Sequence, residues 1–313
     1  MLSGTRVRRL PPLPDWKPRR VDLLCRDMES RKRVSVRIRP KSRGAAASSF
    51  HRFAVFTAID GTLLDARTFE AGSARPMIGR LHAAGVPVIP VSVMTLDEIA
   101  PIAADLGLHD AMVIEGGGAI ARWMASGWEI EACGPPADTL LEVVREIEER
   151  SGANLLVYSA LEEKDAARLS GRSGEMLHAS MRRRFSEPFV IESGDVAAVR
   201  KAAARIGFSV RRGRRFFHLC RECDEGEAAM RICEELRCDM TVALGGTLLD
   251  SEFLTRADVP IIVPGPDGQA DSELQALVPN ARIAPSPAPH GWAAAVDDAW
   301  QSLLASRSKA HPA

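Results

Sequence analysis

The stretch of sequence that decides the fold is Phe56-Thr57-Ala58-Ile59-Asp60-Gly61-Thr62-Leu63-Leu64-Asp65. It begins inside an apolar segment, residues 53–59, whose length and composition predict a buried β-strand. An acidic residue and a glycine follow directly at the end of this segment. Ligands of open α/β sheets bind at the carboxyl ends of the strands. The stretch therefore predicts that Asp60 lies at a ligand-binding edge of a sheet.

Short apolar segments alternate with amphipathic helices from residue 53 onward, and polar or glycine-rich residues follow several of these segments. Ser92 follows the second, Glu115-Gly116-Gly117-Gly118 the third and Gly245-Gly246 a later one. This alternation is typical of an α/β fold in which helices cover both faces of a doubly wound parallel sheet. The predicted strands are residues 53–59, 86–91, 111–114, 240–244 and 261–263, and the predicted helices are residues 74–84, 96–105 and 225–236.

The middle of the chain has a different pattern, in which helices and strands no longer alternate regularly. This part predicts a mixed α/β unit that is inserted into the first. Its predicted helices are residues 139–150, 163–169 and 196–206, and its predicted strands are residues 154–157, 189–191, 209–211 and 215–219.

The loop after the first strand is one of several motifs that occur in a fixed order. The others are Val91-Ser92-Val93-Met94-Thr95, Glu115-Gly116-Gly117-Gly118-Ala119-Ile120, Ala166-Ala167-Arg168-Leu169-Ser170-Gly171, Arg183-Arg184-Phe185-Ser186-Glu187-Pro188-Phe189, Gly213-Arg214-Arg215-Phe216-Phe217-His218-Leu219, Pro264-Gly265-Pro266-Asp267-Gly268 and Gly291-Trp292. Together they resemble the haloacid dehalogenase superfamily and, within it, the mannosyl-3-phosphoglycerate phosphatase branch. The resemblance runs from about residue 53 to the end of the sequence, and its most branch-specific motif is Ser186-Glu187-Pro188-Phe189.

The resemblance implies a Rossmann-like core and a mixed α/β cap that closes over a phosphate group. The core would comprise residues 51–121 and 213–313, the cap residues 122–212, and a basic extension residues 1–50. It also implies Mg²⁺-dependent removal of phosphate from a glycosyl-3-phosphoglycerate.

The catalytic positions implied by the resemblance are largely substituted. The nucleophilic aspartate is replaced by Ala58, while Asp60 remains as the general acid and offers its backbone carbonyl to the metal. Glu225 stands where a lysine is expected, so a positive charge becomes a negative one that would repel phosphate. Gly246 replaces a metal-binding carboxylate, and Asp250 keeps the last acid of that motif. A missing nucleophile alone lowers the rate by orders of magnitude.

The resemblance also implies residues that contact the substrate. For Ser92 the alternative is a hydroxyl that caps the following helix, and for Gly116 and Gly117 it is a tight turn. For Arg183 and Arg215 the alternative is a surface charge on the cap. The full set is Thr62, Ser92, Gly116, Gly117, Arg183, Ser186 and Arg215.

Two functions follow from these substitutions. We expect a catalytically impaired phosphatase homologue that binds a phosphorylated sugar acid or a partner enzyme. The alternative is an active Mg²⁺ phosphatase whose catalytic groups have moved, for example to Asp65 or Asp250. Phosphate release in the presence of Mg²⁺ separates the two.

Composition and charge limit the other classes of function. The chain has 313 residues, 46% of them hydrophobic, and no apolar run long enough to cross a bilayer, so we expect a cytoplasmic protein. Its net charge is zero, but residues 1–50 carry +10 and residues 51–313 carry −10. The basic segment predicts either an arm for nucleic acid or an acidic partner, or a solvated extension with a short strand at residues 34–39. The solvated extension is favoured because aromatic residues are nearly absent among the basic residues of this segment, in which Trp16 is the main one.

The cysteines allow one further interpretation. Cys220-Arg221-Glu222-Cys223 together with Cys233 and Cys238 could supply four thiolates to zinc. Half-buried thiols are the favoured interpretation, because only one of the two pairs has the usual spacing of a zinc site.

Overall fold

The computed structural model describes residues 53–125, 127–220 and 224–310. The predicted basic extension, its strand at residues 34–39 and Cys223 lie outside these ranges. No helix in the described ranges is long and apolar enough to span a bilayer. In chain order the strands are β1 (Phe53–Thr57), β2 (Val88–Pro90), β3 (Met112–Ile114), β4 (Ala119–Met124), β5 (Gly127–Ala132), β6 (Asn154–Val157), β7 (Phe189–Ser193), β8 (Ser209–Arg212), β9 (Phe217–Cys220), β10 (Met240–Gly245), β11 (Val259–Ile262) and β12 (Arg282–Ile283).

The helices connect these strands and mostly begin or end at residues with known capping behaviour. The first helix after β2 begins with a capping box between Thr95 and Glu98, and it ends at Gly107, whose φ of 71° is left-handed. In chain order the helices are α1 (Ala74–Ala83), α2 (Leu96–Leu106), α3 (Ala137–Ser151), α4 (Glu163–Ser170), α5 (Gly174–Met181), α6 (Val196–Ala204), α7 (Glu225–Leu236), α8 (Ser251–Leu254), α9 (Ser272–Leu277) and α10 (His290–Ala310).

The central sheet is parallel and has the strand order β12-β11-β10-β1-β2. Strand β1 lies between β10 and β2, and it pairs with β10 from Phe53 opposite Met240 to Thr57 opposite Leu244. Helices α1, α2 and α10 contribute to the hydrophobic core on one face, and α7, α8 and α9 contribute to the core on the other. The predicted doubly wound α/β core is therefore confirmed.

Beyond β2 the architecture becomes antiparallel. A single bridge between Val91 and Val113 leads from the central sheet to β3, which pairs with the hairpin of β4 and β5. The sequence analysis did not predict this hairpin. Because β4 runs from Ala119 to Met124, the predicted boundary at residue 122 falls inside a strand.

The inserted unit is built on a second antiparallel sheet with the strand order β6-β7-β9-β8. Helices α3 and α6 cover it through the buried side chains of Leu140, Val144 and Val199. The sheet reaches past the predicted boundary at residue 212, because β9 pairs with β8 from Arg212 opposite Phe217 to Ser209 opposite Cys220. The division of the chain into core and cap remains a prediction, in which β6, β7, β8 and β9 form the sheet of the cap.

Candidate functional site

A cavity of about 460 Å³ lies where the carboxyl ends of the core strands face the inserted unit. Its volume is typical of sites for small ligands. Loops after β1, β2 and β10 line one side, and residues between β6 and β9 line the other. The structure thus brings together most of the predicted site residues. Those that line the cavity are Ala58, Asp60, Ser92, Arg183, Arg215, Glu225 and Asp250.

Ala58 and Asp60 occupy the loop that follows β1, since the strand ends at Thr57 rather than at residue 59. The hydroxyl of Thr57 fixes this end, because it accepts a hydrogen bond of 2.8 Å from the indole of the fully buried Trp292. Ala58 presents only a methyl group to the cavity. One carboxylate oxygen of Asp60, Oδ1, is buried and has no hydrogen-bond partner among the described residues, so it could serve a ligand.

Arg172 and Glu98 form an ion pair that the sequence analysis missed. Arg172 Nε lies 2.8 Å from Glu98 Oε1, and its Nη2 lies 3.5 Å from Asp60 Oδ2. Arg172 follows α4 in the inserted unit, whereas Glu98 belongs to α2 of the core. The pattern Thr95-x-x-Glu98 could have revealed the capping glutamate. No local pattern points to its arginine partner.

Arg183 is a buried residue that ties the inserted unit to the core. Its side chain is 5% exposed, and it donates hydrogen bonds to the carbonyl oxygens of Val93 and Ser180 and to the hydroxyl of Ser186. The alternative of a surface charge is therefore wrong for Arg183. Burial and the nearby Arg183 charge lower the pKa of His218 to about 3, so this neighbouring imidazole is neutral.

Glu115 is a second connection that the sequence analysis did not identify. Its carboxylate accepts hydrogen bonds from the backbone N–H groups of Arg184 and Phe185, at 3.1 and 3.0 Å, and from the hydroxyl of Ser186 at 2.7 Å. Ser186, predicted to contact substrate, lies between Glu115 and Arg183. The branch-specific segment therefore docks the inserted unit onto the turn after β3.

The glycines of that turn are explained by close packing. Gly116 has a φ of 69°, which favours glycine. A Cβ atom on Gly117 would lie 2.3 Å from the backbone carbon of Asp224, and one on Gly118 would lie 2.5 Å from the carbonyl oxygen of Phe185. Both approaches are too short for any side chain. The tight-turn alternative thus accounts for these glycines without a ligand.

Ser92 and Arg215 both reach the cavity, and each also has a contact within the protein. The hydroxyl of Ser92 accepts a hydrogen bond of 3.2 Å from the N–H of Met94, so it stabilises its own turn. Arg215 is exposed and donates to the carbonyl oxygen of Ser170. Both retain further donors for a ligand.

Glu225 lies in the cavity wall as the first residue of α7, and it is 5% exposed. Burial raises the pKa of its carboxyl group well above the usual value, and the nearby Asp250 charge adds to this effect. Its Oε2 atom is buried without a hydrogen-bond partner among the described residues. The neutral acid is thus favoured, and the repulsion of phosphate expected from a negative charge is weakened.

Asp250 and Gly246 shape the loop after β10. The carboxylate oxygen Oδ2 of Asp250 accepts hydrogen bonds of 2.7 Å from the N–H groups of Gly246 and Thr247. Burial raises the pKa of Asp250, although these bonds oppose the shift. A Cβ atom on Gly246 would lie 3.3 Å from the hydroxyl of Thr62, which is buried and unpartnered among the described residues.

The donor atoms at this site do not fit the Mg²⁺ ion that the resemblance implies. Mg²⁺ requires oxygen ligands in octahedral geometry, but Ala58 and Gly246 carry no side-chain oxygen. One oxygen of Asp250 is already bonded to its own loop. In the described ranges no group of three or more histidine, cysteine, aspartate or glutamate side chains is arranged to hold a metal ion.

The fold is similar to the folds of solved phosphatases of the haloacid dehalogenase superfamily. A phosphatase of the haloacid dehalogenase superfamily from Bacteroides thetaiotaomicron matches 78% of this chain and 93% of its own with a TM-score of 0.58 and 14% identity. A sugar phosphatase of subclass IIB of that superfamily matches 74% of this chain and 92% of its own with a TM-score of 0.55 and 15% identity. These likenesses show the fold.

Curated relatives confirm the more specific resemblance to the mannosyl-3-phosphoglycerate phosphatase branch. A glucosyl-3-phosphoglycerate/mannosyl-3-phosphoglycerate phosphatase of Methanococcoides burtonii is 24% identical over 262 residues, which cover 78% of this chain and 96% of the relative. A protein of the same name from Persephonella marina is 24% identical over 226 residues, covering 67% and 84%. No protein-family model matches the chain.

Proposed function

We propose that the cavity binds a phosphorylated sugar acid and does not hydrolyse it. One observation carries this proposal: the end of β1 presents the methyl group of Ala58, while four arginines line the same cavity. Without a carboxylate at Ala58 no aspartyl-phosphate can form. Guanidinium groups remain suited to phosphate and carboxylate, which they bind through paired N–H donors. The four are Arg172, Arg183, Arg214 and Arg215.

The class of ligand is supported by the two curated relatives, whose names specify glycosyl-3-phosphoglycerates. Such a molecule carries a phosphate and a carboxylate on one short carbon chain. Arg172 Nε and Arg183 Nη1 already lie 2.8 and 3.8 Å from carboxylate oxygens of Glu98. Arg214 and Arg215 are therefore the arginines whose charges are available to the phosphate and the carboxylate of the ligand.

An active phosphatase would require another carboxylate to replace Ala58. Asp250 holds Oδ2 toward the N–H groups of its own loop. Asp60 lies next to Arg172, and its position suits proton transfer to a leaving oxygen. These contacts support a role in ligand binding without hydrolysis, because neither Asp60 nor Asp250 takes the position of the nucleophile that Ala58 replaces.

Calorimetric titration and a phosphate-release assay test the proposal together. We expect 3-phosphoglycerate and glucosyl-3-phosphoglycerate to bind, glucosylglycerate without phosphate to bind far more weakly, and Mg²⁺ to elicit no phosphate release above background. Arg215→Ala should weaken binding, whereas Arg200→Ala, which removes an exposed arginine on α6, should not.

Two results would overturn the proposal. Failure of both phosphorylated compounds to bind would remove the ligand class. Phosphate release above background that disappears in Asp60→Asn would instead establish the active phosphatase with relocated groups.

A further inference from the structure

Arg214 lies where the implied metal ion would require ligands. A Cβ atom on Gly61 would lie 2.7 Å from Nη2 and 2.9 Å from Cζ of Arg214, and one on Gly246 would lie 3.5 Å from Nη2. Gly61 follows Asp60 in the loop after β1, and Gly246 belongs to the loop after β10. The guanidinium group therefore sits against both loops that would carry the metal ligands.

Arg214 lines the cavity, where its charge is available to a ligand. Burial raises the pKa of Asp250, and the Arg214 charge opposes that rise, which places this positive charge near the carboxyl group. Within the described ranges no hydrogen bond or ion pair joins Arg214 to another residue. Two polar atoms of the loop after β1, Asp60 Oδ1 and Thr62 Oγ1, are buried and likewise without partners among the described residues. The site thus combines the Arg214 guanidinium with the Thr62 hydroxyl, which can donate a hydrogen bond, and with a carboxylate oxygen of Asp60, which can accept one.

The glycine at position 246 affects how Arg214 can interact, because the two residues are close together. A carboxylate on residue 246 would reach the guanidinium of Arg214, since the first atom of such a side chain already lies 3.5 Å from Nη2. Arg214 would then be held in an ion pair and less able to bind an anion. With glycine at 246 and alanine at 58, no side-chain carboxylate at either position pairs with the guanidinium of Arg214.

We propose that Arg214 takes the place of the metal ion and binds the phosphate group of the ligand, so that binding requires no Mg²⁺. This inference rests on the proposed function, because it concerns how the same cavity recognises the phosphorylated sugar acid. A guanidinium keeps its charge at all physiological pH values and can donate two parallel hydrogen bonds to phosphate. A metal ion with too few oxygen ligands offers no such fixed geometry.

Titration of the full-length protein with 3-phosphoglycerate, in EDTA and in millimolar Mg²⁺, tests the inference. We expect the same dissociation constant in both solutions. Arg214→Ala and Arg214→Gln should weaken binding about tenfold or more, as loss of a charged hydrogen-bond donor does, and Mg²⁺ should not restore it. Arg200→Ala serves as the matched control, and thermal unfolding verifies that each variant is folded.

The outcomes separate this inference from the proposed function. Binding in Mg²⁺ but not in EDTA would overturn the role of Arg214 and leave the ligand class intact. Metal-independent binding that persists in both Arg214 variants would do the same. Absence of binding by the wild-type protein in both solutions would overturn the proposed function and this inference together.

Discussion

Replacement of Glu115 by glutamine should loosen the contact between the core and the inserted unit. Oε2 of Glu115 accepts three hydrogen bonds, from the N–H groups of Arg184 and Phe185 and from the hydroxyl of Ser186. Glutamine keeps one acceptor oxygen but turns the other into a donor, and it removes the charge. Arg183 Nε, at 4.0 Å, would then face a neutral group.

The expected decrease in the free energy of unfolding follows from the number of hydrogen bonds that Glu115 accepts. A hydrogen bond to a charged group contributes about 1.5–3 kcal/mol and one between neutral groups about 0.5–1.5 kcal/mol. Because three bonds to Glu115 each lose about 1 kcal/mol, we expect the free energy of unfolding to fall by about 2–3 kcal/mol. Equilibrium unfolding in urea measures this change directly.

Hydrogen exchange locates the effect, because the amides of Arg184 and Phe185 should exchange faster in Glu115→Gln. The matched control is Glu149→Gln, which changes an exposed glutamate on α3 and should leave both measurements unaltered. The proposed connection is refuted if the free energy of unfolding of Glu115→Gln lies within about 0.5 kcal/mol of the wild-type value and both amides keep their protection from hydrogen exchange.

Three further predictions concern the strand end, the cavity wall and the nucleophile position. Trp292→Phe should lower the free energy of unfolding by about 1–3 kcal/mol, measured in urea, because the Thr57 hydroxyl loses its buried donor; an unchanged midpoint would contradict this. Glu225→Gln should gain stability relative to the wild type as the pH rises above about 4.5. Because the pKa of Glu225 is raised in the folded state, its contribution to wild-type stability is fully present below the usual value of 4.5 and is lost as the pH rises through the folded-state pKa, so a pH-independent difference in melting temperature would show that the pKa is not shifted. Ala58→Asp alone should release no phosphate above background with Mg²⁺, because position 246 still lacks a ligand and Arg214 occupies the site; substantial turnover would mean that these substitutions matter less than argued.

The local sequence pattern was sufficient to predict the sheet and its ligand-binding edge. The apolar segments at residues 53–59 and 240–244 predicted the two central strands within a few residues. The amphipathic pattern at residues 225–236 predicted α7 at the observed bounds. The two strands are almost completely buried, and the helix buries one face, so their hydrophobic patterns are visible without knowledge of their neighbours.

Contacts between distant parts of the chain could not be predicted in this way. Arg172 meets Glu98, and Glu115 meets residues 184–186, only after the inserted unit has docked on the core. The hairpin of β4 and β5 was missed because β5 is only half-buried and lacks the continuous apolar run of a core strand. The shifted pKa of Glu225 likewise depends on burial, which a single sequence position does not reveal.

The substitutions at the site are coupled through space, which makes their effects non-additive. A Cβ atom on Gly246 would lie 3.0 Å from the carbonyl oxygen of Val263 as well as 3.5 Å from Arg214, so Gly246→Asp both crowds the sheet edge and captures the guanidinium. Residues in contact commonly show coupling free energies of about 0.5–3 kcal/mol. A cycle of Gly246→Asp and Arg214→Ala, measured by unfolding in urea, should therefore show that Arg214→Ala destabilises the Gly246→Asp protein more than it destabilises the wild type. Equal effects in both backgrounds would mean that Arg214 does not sense position 246, and the argument that it replaces the metal ion would lose its structural basis.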